Sequence, residues 1–519
     1  MTRKHTAACC AVVAAFAGGF VSTRTFMKPT QDAANADQPV VTAGDSDETS
    51  DLGFVRVANK PISGMGENST EFQPVEQPQE PTEAERFKQI QARVRAQVEA
   101  QKKQAALPAP VPEPDAETVK MHPAPLDDRR LTPGNFEYRG AFRLPSVTDE
   151  KSRFGYGGFN LGFRPNGDPN GAADGYPGSL FTVGHDSQQM VAEIDIPKPR
   201  YLVDRLGKDL PAARLLQGFS DISAGFIAKQ SRGTEPFKIG GLFVAGNRLH
   251  WTLYKYYNVD GQRYDSHATS SLNLSNPKPE GLWHLGNMNG GAPEWHSYKY
   301  AGYIFDVPPD RAKRDLGGLN LISGLQISTG RQTSSQGPAM YAYRLPKRGT
   351  KRGASLDAVP LLYYPLNAGE WKHHHPSDMW RGGAWIKIGR KEGIIIAGRK
   401  ALGEVYYGEA RKKDCTPDKG YHGTPYEPQM VFYDAEDILK VARGKTKPWF
   451  VDPYLTWSSK TEGGGLKEYF FDTCAGRLEG VAFDRANSLL YLIQYDATLI
   501  ELTDYEKVPI VHVFKIKDV

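Results

Sequence analysis

The stretch that decides the fold is Ile239-Gly240-Gly241-Leu242, because a glycine-bearing segment of this kind recurs along the chain. Short apolar runs separated by turns follow most of the copies. Repeated short-strand units with a small residue in the first strand are typical of propeller blades, whose first strands crowd a central channel. The other copies are Tyr156-Gly157-Gly158-Phe159, Arg381-Gly382-Gly383-Ala384 and Leu478-Glu479-Gly480-Val481.

The runs between these segments predict an all-β fold, a β-propeller of five to seven blades. Helical patterns are short, and the best of them is Ala435 to Arg443. Phe136 to Pro145 is expected to complete the last blade, formed by Pro509 to Ile516, and so to close the ring. A pair of β-sandwiches is the alternative fold. The runs predicted as strands are 181–183, 191–196, 241–244, 393–397, 488–493 and 509–516.

The N-terminal quarter has a different composition. Arg3 and Lys4 precede an apolar segment, so residues 1–27 are predicted to be a signal peptide or an uncleaved signal-anchor, and the protein to be exported. Residues 28–130 are acidic and proline-rich, which predicts a disordered stalk with one helix near 83–106. Residues 131–519 form the predicted propeller domain. The expected location is extracellular, periplasmic or anchored to the cell surface.

Charge and composition exclude several functions. The 519 residues include 64 basic and 60 acidic side chains, and a net charge of +4 gives no case for binding nucleic acid. Beyond the N-terminus no apolar run is long enough for a polytopic membrane protein. GxSxG, HExxH, P-loop and Rossmann motifs are absent from the sequence. Two cysteines outside the N-terminal segment, Cys415 and Cys474, predict one disulfide in an exported chain.

Several histidines and aromatic residues are candidates for a site at the channel mouth, where loops from inner strands converge. His185 ends a strand and has a side chain suited to a base near neutral pH. The run His250 to Tyr257 places His250, Tyr254 and Tyr256 on one face, with Arg263 and His267 soon after. Ordinary packing in the sheet is the alternative for each. The rings that could stack on sugars are Trp283, Trp295 and Tyr298.

A divalent cation, calcium or zinc, is a further hypothesis. Glu479 opens a predicted inner strand and Asp484 follows near its end, so these carboxylates could line the channel and hold a cation. The run His373-His374-His375 with Asp378 offers zinc ligands, although adjacent residues of a strand point to opposite faces. An exposed polar loop is the alternative for that run.

The layout of four segments resembles that of secreted bacterial propeller proteins and, among characterised families, the ulvan-lyase type of polysaccharide lyases. The segments are Tyr156 to Pro197, Trp251 to Asn258, Cys415 to Pro428 and Leu478 to Tyr495. The resemblance implies a catalytic histidine matching His185, a tyrosine matching Tyr254 or Tyr256, and a basic group matching Arg263. It also implies a structural metal.

On this resemblance, the predicted function is cleavage of a uronate-containing, acidic polysaccharide by β-elimination. Arg263 would neutralise the uronate carboxylate, the histidine would remove the neighbouring proton, and the tyrosine would protonate the leaving oxygen. Two alternatives stay open. One is a non-catalytic propeller that binds glycan or protein at the cell surface, and the other is a cation-dependent hydrolase.

Overall fold

A computed structural model describes residues 128–519, except for 147–149, 202–206, 208, 231–234, 259–260, 328–332, 367–370, 372–373, 416–418, 460, 462–464 and 499–506. The predicted signal segment, the helix near 83–106 and most of the stalk therefore lie outside the described residues. Among the described helices, none is long and apolar enough to cross a membrane.

Five sheets of at least four strands, antiparallel apart from one short strand, form a five-bladed propeller, which lies within the predicted range of five to seven blades. We number the blades along the chain from the first inner strand. The first strand of the chain, β1 (Phe136–Arg143), belongs to blade 5. From the inside outwards, blade 1 contains β2 (Gly162–Arg164), β3 (Ser179–Val183), β4 (Val191–Asp195) and β5 (Leu215–Ser220). Blade 2 contains β6 (Phe237–Ala245), β7 (Arg248–Lys255), β8 (His267–Ser271), β9 (Glu280–Leu285) and the short parallel β13 (Ser355–Leu356).

The remaining blades follow the same plan. Blade 3 contains β10 (Tyr303–Asp306), β11 (Leu321–Gly324), β12 (Met340–Tyr343) and β14 (Ala358–Leu362). Blade 4 contains β15 (Met379–Ile388), β16 (Lys391–Ala401), β19 (Tyr426–Tyr433) and β20 (Leu455–Ser458), with the hairpin β17 (Tyr406–Gly408) and β18 (Gly420–His422) inserted between β16 and β19. The helices are α1 (Phe226–Gln230), α2 (Pro309–Asp315) and α3 (Ala435–Ala442).

Blade 5 closes the ring with strands from both ends of the described chain. Its inner strands are β21 (Leu478–Asp484) and β22 (Leu489–Gln494), followed by β23 (Ile510–Ile516). The outermost strand is β1 (Phe136–Arg143), which pairs antiparallel with β23 from Phe136 opposite Ile516 to Arg143 opposite Ile510. The predicted closure is therefore confirmed.

Five apolar clusters lie between neighbouring blades. This explains why the sequence of many strands is a continuous apolar run. Successive side chains of a strand point to opposite faces of its sheet. Leu180 accordingly packs against blade 5 and Phe181 against blade 2. Ile394 likewise packs against blade 3, whereas Ile395 packs against blade 5. Both faces of each blade are buried, so alternation with polar residues is lost.

The recurring glycines bring the inner strands together around the channel. A Cβ on Gly382 would lie 2.5 Å from the carbonyl oxygen of Glu479 in the next blade, and one on Gly240 would lie 2.4 Å from that of Ala301. A Cβ on Gly480 would lie 2.5 Å from the backbone nitrogen of Leu161. Only glycine permits such close approach of one backbone to another. The glycine pattern of the sequence is thus a requirement of ring closure.

Candidate functional site

Charged side chains gather where the inner strands begin, at one end of the channel. Lys238 is the second residue of β6, Arg381 the third of β15 and Glu479 the second of β21. Each precedes the glycine of its strand, so its side chain extends from the start of a closely packed inner strand. We call this end of the channel the mouth.

One carboxylate at the mouth is shared by two guanidinium groups. Arg381 Nε donates to Glu479 Oε2 at 3.0 Å, and Arg477 Nε donates to Glu479 Oε1 at 2.7 Å. Glu479 is fully buried, and Arg381 is 4% exposed. Burial by itself lowers the pKa of Arg381, but Tyr254 and Glu479 outweigh burial and raise that pKa. Both arginines therefore keep their charge.

Tyrosines surround these cations. Arg381 Nη2 donates to Tyr254 Oη at 3.2 Å, and its guanidinium lies 5.0 Å from the centroid of the same ring. Arg477 lies 4.2 Å from the ring centroid of Tyr495, which stacks on Phe159. Guanidinium groups over aromatic faces are attracted by the ring quadrupole, most strongly away from water.

The third cation of the cluster is a lysine on the side of blade 1. Lys238 pairs with Asp186, and its ammonium lies 5.1 Å from the ring centroid of Tyr256. Its side chain is 20% exposed, and that of Arg477 is 18% exposed, so both cations are within reach of a ligand. Burial lowers the pKa of Lys238, but Tyr254 and Asp186 more than offset it, so that pKa is raised.

Arg399 is the fourth cation of the mouth. Its guanidinium lies 4.3 Å from the ring centroid of Tyr426, and the residue is 3% exposed. No acceptor among the described residues bonds its buried Nε or Nη1. Burial lowers the pKa of Arg399, partly offset by Tyr426, and Arg477 lowers it further. Among the described residues, these four cations form ion pairs with two carboxylates, Glu479 and Asp186, and Asp496 is a further electrostatic neighbour of Arg477.

The hairpin formed by β17 and β18 is fixed beside the mouth at two points. Cys415 is bonded to Cys474, which confirms the predicted disulfide and ties the hairpin to the loop before Arg477. On the other side, Tyr257 Oη donates to the carbonyl oxygen of Lys419 at 2.6 Å. The Tyr257 ring also packs against that of Tyr256, with 5.4 Å between centroids.

The structure brings together three of the residues selected from the sequence, Tyr254, Tyr256 and Glu479, around Arg381 and Lys238. His185 precedes Asp186, the partner of Lys238, in the chain. The His185 ring packs edge-on against Tyr156, and its Nδ1 accepts from the backbone N–H of Ser187 at 3.1 Å. The catalytic roles of His185, Tyr254 and Tyr256 stay predictions.

Two other selected histidines are buried in blade 2. His267 bonds the hydroxyls of Ser266 and Ser323, each at 3.0 Å, and burial lowers its pKa to about 3. His250 is 7% exposed, and burial lowers its pKa to about 4. Neither contacts the cations of the mouth in the described part of the chain, and their proposed role in binding substrate stays a prediction.

The remaining selected residues make structural contacts. The Arg263 guanidinium donates to the carbonyls of Met288, Gly291 and Ala292, which leaves it occupied by a loop. Trp283 is 1% exposed, and its Nε1 donates to the carbonyl of Lys351 at 3.0 Å. Tyr298 is fully buried and donates to the carbonyl of Tyr256 at 2.7 Å, and Trp295 packs on Tyr341. Substrate contacts by these residues stay predictions.

The described residues give no further support to the hypothesis of a bound divalent metal ion. Glu479 is paired with two arginines, and Asp484 at the far end of β21 accepts from the backbone N–H groups of Ala486 and Asn487. Among the described residues, no three His, Cys, Asp or Glu side chains are placed to hold a metal ion. His373 lies outside the described residues, and His375 Nε2 bonds the carbonyl of Gly403 at 2.9 Å.

Sequence reasoning missed four of the charged residues, Lys238, Arg381, Arg399 and Arg477. A signal for two of them was present, since Lys238 and Arg381 precede the glycines of inner strands as Glu479 does. For Arg399, in the middle of a blade, and for Arg477, in a loop, the sequence offers no such sign.

The fold and this cluster define a five-bladed β-propeller with a cationic, tyrosine-lined channel mouth. No family model and no curated protein matches the chain. Among solved structures, it is similar to an Aspergillus kawachii β-fructofuranosidase complexed with glycerol, at 10% identity and a TM-score of 0.31. That match covers 60% of this chain and 48% of the other, so this chain spans about half the length of that protein.

A second similar structure is described as belonging to the GH130 family of mannoside phosphorylases, which contains glycoside hydrolases that target β-1,2 mannosidic linkages in Candida mannan. The identity is 12% and the TM-score 0.35, and the match covers 74% of this chain and 96% of that one. At such TM-scores these similarities carry no argument about function.

Proposed function

We propose that the protein binds an acidic glycan at the channel mouth and cleaves it by β-elimination beside a uronate. The observation that carries the proposal is the surplus of positive charge among tyrosines, with four cations facing two carboxylates. Asp496 is an electrostatic neighbour of both Arg477 and Lys507, and counting Asp496 and Lys507 with the cluster still leaves two positive charges in excess among the described residues. An electropositive cleft concentrates anions, and tyrosine rings offer surfaces for sugars.

The exposed members of the cluster suggest the roles. Lys238 is a partly exposed cation beside Tyr256, so we assign it to bind the uronate carboxylate. It replaces Arg263 in this role, because both terminal nitrogens of Arg263 already donate to backbone carbonyls. Tyr256 is partly exposed, and so is His185. We assign the base to His185 and the acid to Tyr256.

The reaction balances without a co-reactant. A proton leaves the ring carbon next to the carboxylate and passes to His185, and a carbon–carbon double bond forms as the bond to the glycosidic oxygen breaks. That oxygen takes a proton from Tyr256. Lys238 stabilises the negative charge that develops on the carboxylate when the proton leaves.

A hydrolase fits the described mouth less well. Hydrolysis of a glycosidic bond ordinarily uses two carboxyl groups, one as acid and one as base or nucleophile. Here Glu479 is held by Arg381 and Arg477, and Asp186 is held by Lys238. Export is part of the proposal too, because the Cys415–Cys474 disulfide belongs to an oxidising compartment.

The test incubates the full chain with ulvan, alginate, pectin and glycosaminoglycans and follows the ultraviolet absorbance of the unsaturated uronate. We expect absorbance to rise with at least one polymer and to stay flat when its carboxyl groups have been reduced to alcohols. The variants Tyr256→Phe and His185→Gln should lose about 100-fold or more in rate. Tyr201→Phe, at a side chain 62% exposed, is the matched control.

Two results would count against the lyase. Full activity in both variants would remove the assigned roles. A flat trace with every polymer, together with measurable binding of an acidic one, would establish the non-catalytic glycan-binding propeller instead.

A further inference from the structure

Arg399 differs from the other cations of the mouth because it forms no ion pair with a carboxylate of the described residues. Arg381 and Arg477 share Glu479, and Lys238 pairs with Asp186. Arg399 instead lies over Tyr426, and its buried Nε and Nη1 bond no acceptor among the described residues.

The Tyr426 ring is itself fixed in place. Its hydroxyl bonds Ser377 Oγ at 2.8 Å and accepts from the backbone N–H of Gly423 at 3.0 Å. The guanidinium therefore rests on a rigid platform. The two hydrogen bonds of the Tyr426 hydroxyl hold the ring, and with it the Arg399 guanidinium, in a defined position.

A buried guanidinium without a counter-ion is costly. Arginine stays protonated in proteins, and desolvating an unpaired charge costs several kcal/mol in general. Arg477 is an electrostatic neighbour of Arg399 and adds like-charge repulsion. An anion placed here would offset both penalties, whereas the neighbouring tyrosines cannot neutralise the charge.

We propose that Arg399 is a receptor for a second anionic group of the ligand, so that the substrate is a glycan with at least two acid groups within one binding site. This inference rests on the proposed function. Tyr256, the proposed acid, is an electrostatic neighbour of Arg399, which places the receptor beside the proposed reaction site. The two uncompensated positive charges of the mouth match a doubly charged segment, with two carboxylates or a carboxylate and a sulfate.

The first test uses inorganic sulfate as the probe on the full chain. The midpoint of thermal unfolding is measured with sulfate and with chloride at equal ionic strength. Wild type should gain about 2–4 °C in sulfate, since an ion that binds the folded state stabilises it by mass action. Arg399→Met should lose that gain while still folding, because the change removes an unpaired buried charge.

Arg390→Met is the matched control, because that arginine side chain is 81% exposed. It should keep the wild-type response to sulfate. An equal response in Arg399→Met, or no response in wild type, would overturn the inference. A sulfate effect lost in both variants would also overturn it, since the ion would then bind by surface charge in general.

A second assay separates this inference from the proposed function. Wild type and Arg399→Met are compared on a sulfated polymer and on its chemically desulfated form. We expect Arg399→Met to raise the KM for the sulfated polymer more than the KM for the desulfated one, so that the preference for the sulfated polymer is lost. An unchanged preference would overturn the receptor alone. Failure of wild type to bind or cleave either polymer, with the sulfate response intact, would overturn the proposed function alone.

Discussion

Arg381 and Tyr254 lie 127 positions apart in the sequence and meet across the channel, with 3.2 Å between Nη2 and Oη. The contact joins blades 4 and 2 without passing through blade 3. Lys238 and Asp186 join blade 2 to blade 1, and Arg381 and Glu479 join blade 4 to blade 5. The polar contacts of the mouth therefore tie together four of the five blades.

This arrangement makes Glu479 a structural counter-ion. Glu479→Gln leaves two guanidinium groups without a carboxylate, and breaking such a buried ion pair costs about 3–5 kcal/mol. Urea denaturation measures the loss. The control is Asp484→Asn on the same strand, whose amide oxygen can still accept from the N–H groups of Ala486 and Asn487. It loses the bond that Asn487 Nδ2 donates to the other carboxylate oxygen and should cost about 1 kcal/mol. Equal losses in the two variants would show that the arginine pairs contribute little.

The glycines of the inner strands give a prediction about packing. Gly382→Ala places a Cβ 2.5 Å from the Glu479 carbonyl oxygen and 2.7 Å from Val481 Cγ2. Overpacking of this kind costs about 1–3 kcal/mol, and we expect the upper end because backbone must move. Gly218→Ala in β5 is the control, since its Cβ would meet no atom within 4 Å. The free energies of unfolding of both variants decide the matter, and equal values would contradict the proposed crowding.

Reduction of the Cys415–Cys474 disulfide should destabilise the protein. The bridge closes a loop with a sequence separation of 59, and loop-closure entropy of this size corresponds to about 4 kcal/mol. The double variant Cys415→Ser and Cys474→Ser should therefore unfold at a lower urea concentration than oxidised wild type. Reduced wild type should behave as the variant does. A midpoint that does not change on reduction would mean that the unfolded chain gains little freedom.

Buried neutral histidines predict loss of stability in acid. Burial lowers the pKa of His267 and of His512 to about 3, against an ordinary value near 6.5 in the unfolded chain. Their stabilisation is complete above pH 6.5 and is lost as the pH falls towards 3. Within this window the unfolded chain binds the extra proton, so each histidine contributes a slope of about 1.4 kcal/mol per pH unit.

The measurement compares urea midpoints between pH 6.5 and 5, where most carboxylates stay ionised. His512→Gln should reduce the slope by the contribution of one proton, because glutamine does not titrate. The His512 ring bonds Tyr138 Oη and Gln494 Oε1, so this variant also loses some stability at neutral pH. A slope equal to that of wild type would show that His512 is not the group that titrates.

The blades could be predicted from the sequence because the packing of the ring requires glycines and apolar runs that are visible within short segments. The segments predicted as strands at 181–183, 191–196 and 393–397 all fall on observed strands, and the helix predicted from Ala435 is α3. The five blades lie within the predicted range, whereas the long insertions obscured the exact number. Two β-sandwiches are excluded by the five sheets of the described residues.

The mouth was harder to predict, because its chemistry depends on distant pairing. Arg381 reaches Glu479 from 98 positions away, and the two meet only once the ring is closed. An arginine in a strand ordinarily indicates a solvated face, so the burial of Arg399 leaves no local pattern in the sequence. Conversely, His250 and Tyr254 share a strand face, but only the tyrosine lies close enough to the channel to contact Arg381.

The pairing of β1 with β23 also fixes when the protein can finish folding during its synthesis. The outer strand of blade 5 is among the first parts of the described chain to leave the ribosome, yet its partner is among the last. Until Ile510–Ile516 emerges, β1 has an unpaired edge, and exposed strand edges invite association with other chains. A product that ends before this strand would retain that edge permanently, so premature termination should yield aggregates rather than a smaller propeller.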